Sequence, residues 1–225
     1  MVHSGINLVT TVTKTSGVSE HPVTGVVNPD GSAYIHLIPK NSSSYLRTWL
    51  KKEQWVELTM SDHILNRPHK IHQLAIIRDP MDRWLSGITQ FLFDVFHSLN
   101  PIENHWEAIF RIITAQPNQD AHTTPQAEFF YNYTIDHFDF LYLEDFASNK
   151  NKIKDWAIKS NQKFAYLDST APNNQTREEK IKTSILDFLK INLNNNTEFK
   201  QKIINYYEVD YKLIKWIGNN NKWIQ

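Results

Sequence analysis

Residues 75–86 read Ala75-Ile76-Ile77-Arg78-Asp79-Pro80-Met81-Asp82-Arg83-Trp84-Leu85-Ser86, and two elements meet inside this stretch. Gln73 to Ile77 is a short apolar run suited to a buried strand. Asp79-Pro80 follows at once, an N-cap acid with proline at the first helical position, which starts a helix. Trp84, Leu85, Ile88, Phe91, Leu92 and Val95 recur at helical spacing and form its expected buried face. Arg78 therefore stands at the carboxyl end of a strand, where open α/β sheets bind their ligands. Its guanidinium can hold a phosphate in a bidentate grip. Arg83, Ser86 and Gln90 lie three and four residues apart on one polar stripe, which lets Ser86 share a ligand with Arg78.

A second junction lies upstream. Ala33 to Ile38 is another apolar run, ended by Pro39, and Tyr45, Leu46, Trp49 and Leu50 predict a helix from near Ser44. Between them lies Lys40-Asn41-Ser42-Ser43-Ser44-Tyr45. A helix N-terminus offers unpaired N–H groups and the positive end of a dipole, Lys40 adds a point charge, and three serines add hydroxyl donors. The same segment also reads as a plain turn and N-cap. A nucleoside-triphosphate P-loop fits poorly, because that motif needs glycines and a lysine just before the helix, and no glycine occurs between Lys40 and Lys51.

Further out, Trp55 to Met60 and Phe138 to Leu143 read as strands. Helices are expected over Ile102 to Ala115, Asp145 to Lys159, from the Thr176–Glu179 capping box to about Leu189, and over Thr197 to Trp216. Gln116 to Pro125 is a loop, and the Asn-rich stretches Asn192–Asn196 and Asn219–Asn221 read as exposed turns. Strands alternating with helices predict an α/β fold with a mainly parallel central sheet flanked by helices. Residues 1–32, punctuated by Pro22, Pro29, Asp30 and Gly31, form an arm or a hairpin, and 33–225 a single domain.

Composition narrows the function classes. Lys+Arg and Asp+Glu are both 24 among 225 residues, and a neutral balance argues against a dedicated nucleic-acid binder. The absence of cysteine removes disulfides, thiolate metal sites and cysteine nucleophiles. No apolar run reaches membrane-spanning length, and Met1 to Thr15 has neither a basic nor an apolar leader region, so the expected location is the cytoplasm, away from membranes. His69 and His72 have a spacing compatible with metal ligation, but no carboxylate stands at recognisable ligand spacing from them.

With both junctions in view, the chain resembles the PAPS-dependent sulfotransferase superfamily. Pro39-Lys40 begins the loop that in that family binds the 5′-phosphosulfate of 3′-phosphoadenosine 5′-phosphosulfate (PAPS). Arg78-Asp79-Pro80-Met81-Asp82-Arg83-Trp84-Leu85-Ser86 matches the family's R-D-P-x-x-R-x-x-S segment, which binds the 3′-phosphate. His122-Thr123-Thr124-Pro125-Gln126 is similar to a His-x-x-Pro-Gln loop of membrane-type carbohydrate sulfotransferases. Tyr142 to Phe146 and Tyr206 to Tyr211 are weaker echoes. The chain departs in carrying serines where the family loop usually has glycine. It also lacks the C-terminal G-x-x-G-x-x-K motif of aryl sulfotransferases, since Gly218 is followed by Asn219-Asn220-Asn221, and this favours the carbohydrate branch.

The resemblance implies a P-loop-like sulfotransferase fold and sulfuryl transfer from PAPS to a hydroxyl acceptor, a glycan. Adenosine 3′,5′-bisphosphate (PAP) is the second product, and no metal takes part. Lys40, Asn41, Ser42, Ser43, Ser44, Tyr45, Arg78 and Ser86 would hold the donor. Lys40 would stabilise the leaving group, and His63 or His122 would take the acceptor proton. Trp84 or Trp106 could stack on a sugar, although each also reads as a core residue. The competing readings are a P-loop-type kinase and a non-catalytic nucleotide or sulfated-glycan binder that kept the fold.

Overall fold

The computed structural model describes residues 24–59, 71–98, 102–130, 135–143, 146–159 and 177–224. Five strands form one sheet: β1 (Thr24–Val27), β2 (Ala33–Leu37), β3 (Val56–Thr59), β4 (His72–Ile77) and β5 (Phe138–Tyr142), in the spatial order β3-β1-β2-β4-β5. The helices are α1 (Ser43–Lys52), α2 (Pro80–Phe96), α3 (Trp106–Ala115), α4 (Phe146–Lys159), α5 (Arg177–Asn195), α6 (Thr197–Tyr206) and α7 (Glu208–Asn219). Short 3-10 turns cover Ile102–His105, Gln126–Phe130 and Ile135–His137.

The expectation of a mainly parallel sulfotransferase-type sheet is corrected. The sheet is small, open and mixed, and helix outweighs strand by 63% to 15% among the described residues. β2 pairs with β4 and β4 with β5 in parallel, but β1 pairs antiparallel with both β2 and β3. The cause lies in the turn at 28–32. Asn28 accepts from the Ala33 N–H through Oδ1 at 2.9 Å and donates to Ser32 Oγ at 2.9 Å. A link that short returns the chain as a hairpin, whereas parallel pairing needs a long crossover. β1, taken from the stretch read as an arm or hairpin, is thereby wedged between β2 and β3. Gly25 in β1 makes room for the Tyr34 ring, whose atoms lie 2.0 Å from where a Cβ would stand.

β2 is buried along its whole length, and its residues alternate between two cores. Ala33, Ile35 and Leu37 pack with Leu46, Trp49 and Leu50 of α1 and Ile153 and Trp156 of α4. Tyr34 on the other face packs with Phe129, Phe130, Leu213 and Ile217. A third core is wholly helical, with Trp84, Ile88 and Leu92 of α2 against α3, α5 and α6 through Ile109, Ile185, Leu189, Phe199 and Ile203.

Several local expectations change. Val95, placed on the buried face of α2, is 49% exposed. Residues 192–195 continue α5 instead of turning, and Asn196 caps α6 by accepting from Phe199 N. The expected helix over 197–216 is two helices, broken at Tyr207, whose ψ of 16° departs from the helical value. α7 takes in Asn219, and the chain then turns at exposed Asn220 and Asn221 and returns to the sheet. There Phe140 N donates to Lys222 O at 2.9 Å and Ile224 N to Phe140 O at 2.8 Å, so the tail covers the β5 edge. None of the described helices is long and apolar enough to cross a membrane.

Candidate functional site

The ends of β2 and β4 lie side by side because these strands are parallel neighbours, and both junctions open at the same end of the sheet. Arg78 Nη1 donates to the carbonyl oxygen of Lys40 at 3.4 Å. Lys40 and Ser42 adopt left-handed φ values of 66° and 62°, which non-glycine residues take at a cost. α1 begins at Ser43 with Leu46 N donating to Ser42 O. Ser42 makes no side-chain cap bond, and the first turn of α1 holds no acid. α2 contrasts with it, since Asp79 Oδ1 accepts from both Met81 N at 2.9 Å and Asp82 N at 3.0 Å. The α1 end thus retains its attraction for an anion, while α2 carries its own carboxylate.

The other expected donor-binding residues divide in two. Ser43 is half-buried, Ser44 exposed, Tyr45 packs against the core beneath, and Ser86 is half-buried on α2. Asn41 is buried and serves the scaffold: its Nδ2 donates to Ile76 O at 2.7 Å and to Gln126 Oε1 at 2.9 Å. Arg83 leaves the expected polar stripe and is fully buried. Its Nε donates to Pro39 O at 3.1 Å and its Nη1 to Thr124 O, while Nη2 has no hydrogen-bond partner among the described residues. This guanidinium bolts the Lys40 loop to the 118–126 loop from below.

Lys40 Nζ approaches Gln90 Oε1 of α2 at 3.5 Å. Burial holds this ammonium below the ordinary lysine range, Lys182 of α5 adds to the depression, and Asp94 and Asp120 oppose it. Neither Lys40 nor Lys182 has an ion-pair partner among the described residues. Burial also lowers Arg83, against the pull of Tyr207 and Asp210.

The loop from Gln116 to Pro125 folds over α2. Trp84 Nε1 donates to Pro117 O at 3.1 Å, which makes this tryptophan a fully buried anchor. Trp106 is stacked on Phe188 at 4.3 Å. A Cβ on Gly87 would sit 2.2 Å from the His122 carbonyl oxygen, so glycine is what lets the loop backbone touch the helix. His122 Nδ1 lies 2.7 Å from Asp120 Oδ2. Burial alone would raise the Asp120 carboxyl, but the His122 ring, its charge and the backbone N–H groups of His122 and Thr123 outweigh it and hold the acid below the usual range. His63 and His69 lie outside the described residues, and His72 is exposed. Among the described residues no cluster of three histidine or acidic side chains stands ready for a metal ion.

Asp120, Asp210 and Lys182 lie around these residues with little or no signal in the sequence. Asp120, two residues before His122, signals itself only through the Asp-x-His spacing. Asp210 is buried and accepts from Gln126 N at 3.0 Å and Ala127 N at 2.8 Å, and burial pushes its carboxyl up to about 6 despite Arg83. Lys182 approaches from a helix whose sequence carries no site signature.

No family model, no curated protein and no solved structure matches this chain. The functional reading therefore rests on the residues and their geometry.

Proposed function

We propose that the chain is a sulfotransferase, moving the sulfuryl group of PAPS to a hydroxyl on a carbohydrate acceptor. The observation that supports this reading is the 3.4 Å contact between Arg78 Nη1 and Lys40 O, by which the Arg78 guanidinium lies against the loop that carries Lys40. The uncapped start of α1, Lys40 and Arg78 make a donor set suited to a nucleotide with anionic groups at both ends. PAPS supplies the sulfuryl group as donor substrate. Lys40 and the amides at the start of α1 hold the negative charge that gathers on the bridging oxygen, and Arg78 with Ser86 holds the 3′-phosphate. His122 takes the proton of the acceptor hydroxyl, and His63 is the other candidate for that role. Acceptor choice falls to the loop over α2.

Two measurements test this. A thermal-shift titration with PAP against ATP separates the reading from a kinase, because only a 3′-phosphate site prefers PAP. Transfer of labelled sulfate from PAPS to a panel of glycans separates it from a non-catalytic binder. Binding of PAP without transfer to any acceptor would leave the binder, and preference for ATP would leave the kinase.

A further inference from the structure

We propose that Asp120 is the positioning residue of a proton-accepting dyad with His122, an inference that rests on the sulfotransferase reading for its reaction. Asp120 grips the histidine at two points. Its Oδ2 meets the ring Nδ1 at 2.7 Å, and its Oδ1 accepts the backbone N–H of His122 at 2.8 Å. An ionised carboxylate only accepts hydrogen bonds, so Nδ1 carries the shared proton, and in the neutral ring Nε2 is then the nitrogen with the lone pair. Nε2 has no hydrogen-bond partner among the described residues, and the side chain is 38% exposed, leaving that nitrogen open to an acceptor.

The dyad is itself held. Thr123 Oγ1 accepts from Gln119 N at 2.7 Å and Asp120 N at 3.0 Å, which closes the turn beneath the carboxylate. Gly87 allows the His122 carbonyl against α2, and Tyr207 OH donates to Thr123 O from the break between α6 and α7. Lys40 Nζ reaches Gln90 one turn along the same helix. The proton acceptor and the leaving-group cation thus share one stretch of α2.

The step balances as follows. The acceptor oxygen forms a bond to sulfur as its proton passes to His122 Nε2. The bond from sulfur to the bridging phosphate oxygen breaks, and its electron pair stays on PAP. The imidazolium so formed faces the Asp120 carboxylate, which remains ionised and stabilises it.

The test is nitrogen–proton NMR of the imidazole in the full chain, with and without Asp120→Asn, alongside steady-state kinetics. The wild-type ring is expected as the Nδ1–H tautomer. Asp120→Asn is expected to lose that preference and to lower kcat about 100-fold while KM for PAPS holds within about twofold, and Asp120→Glu to restore part of kcat. A wild-type ring in the Nε2–H form overturns the proposal, as does an Asp120→Asn variant with wild-type tautomer and kcat. Should Asp120→Asn fail to fold, the wild-type tautomer and Asp120→Glu decide it. Absence of sulfate transfer by the wild-type chain, whatever the tautomer, overturns the catalytic role together with the reading it rests on.

Discussion

Gln126 holds the backbone of Arg78 at both of its polar groups, with Oε1 accepting from Arg78 N at 3.2 Å and Nε2 donating to Arg78 O at 2.8 Å. One side chain thereby supplies the pairing that the end of β4 lacks, and Oε1 also accepts from Asn41 Nδ2 at 2.9 Å. The Lys40 loop, the Arg78 junction and the His122 loop meet at this amide.

Gln126→Ala is therefore expected to lower stability by about 3 kcal/mol, since it leaves the half-buried Arg78 N–H and C=O unpaired and takes one of the two partners of buried Asn41 Nδ2. Urea unfolding of the variant against wild type measures this. A loss under about 0.5 kcal/mol would mean the amide is not the link between the three segments.

Gly87→Ala is expected to cost about 1–3 kcal/mol, because the added methyl lands on the His122 carbonyl oxygen and carbon and backbone must shift. Gly218→Ala is the contrasting case. Its nearest neighbour would be Trp223 Nε1 at 3.6 Å, an ordinary contact, and alanine favours the helix by about 0.5–1 kcal/mol. Thermal melts of the two variants should move in opposite directions.

Much of the scaffold was legible because its signals are local. Asp79-Pro80 marks the start of α2, and Gln73 to Ile77 overlaps β4 almost fully. The sheet's mixed character was not legible. β1 is only four residues long, and what makes it a central strand is pairing with β2 and β3 on either side. Tyr207 shows the same limit: a helical period runs through it, yet its hydroxyl reaches Thr123 O, 84 residues away, and the helix breaks there. At the site, Lys40 and Arg78 declare themselves as cations at strand ends. Arg83 looks like a surface residue in the same motif and is instead buried among carbonyl groups. Asp210 and Gln126 act through contacts that no sequence period encodes.

Asp210 gives a pH dependence with a defined sign. Burial raises its folded-state value from 3.8 to about 6, so the folded chain binds the proton more tightly than the unfolded chain. The stability this contributes is fully present below about pH 4 and is lost as pH rises through 6. Two units correspond to roughly 3 kcal/mol. Asp210→Asn, which cannot ionise, is expected to gain on wild type by up to that amount between pH 4 and pH 7 in paired urea titrations. A difference that stays flat with pH would show that the folded carboxyl is not raised.

The most direct test of the account is calorimetric titration of PAP and of adenosine 5′-monophosphate into the wild-type chain and into Arg78→Ala. Wild type is expected to favour PAP by about tenfold or more through the 3′-phosphate, equivalent to about 1.4 kcal/mol, and Arg78→Ala to lose that preference while still binding the 5′ end. Equal affinity for the two nucleotides in wild type, or an undiminished preference in Arg78→Ala, would contradict it.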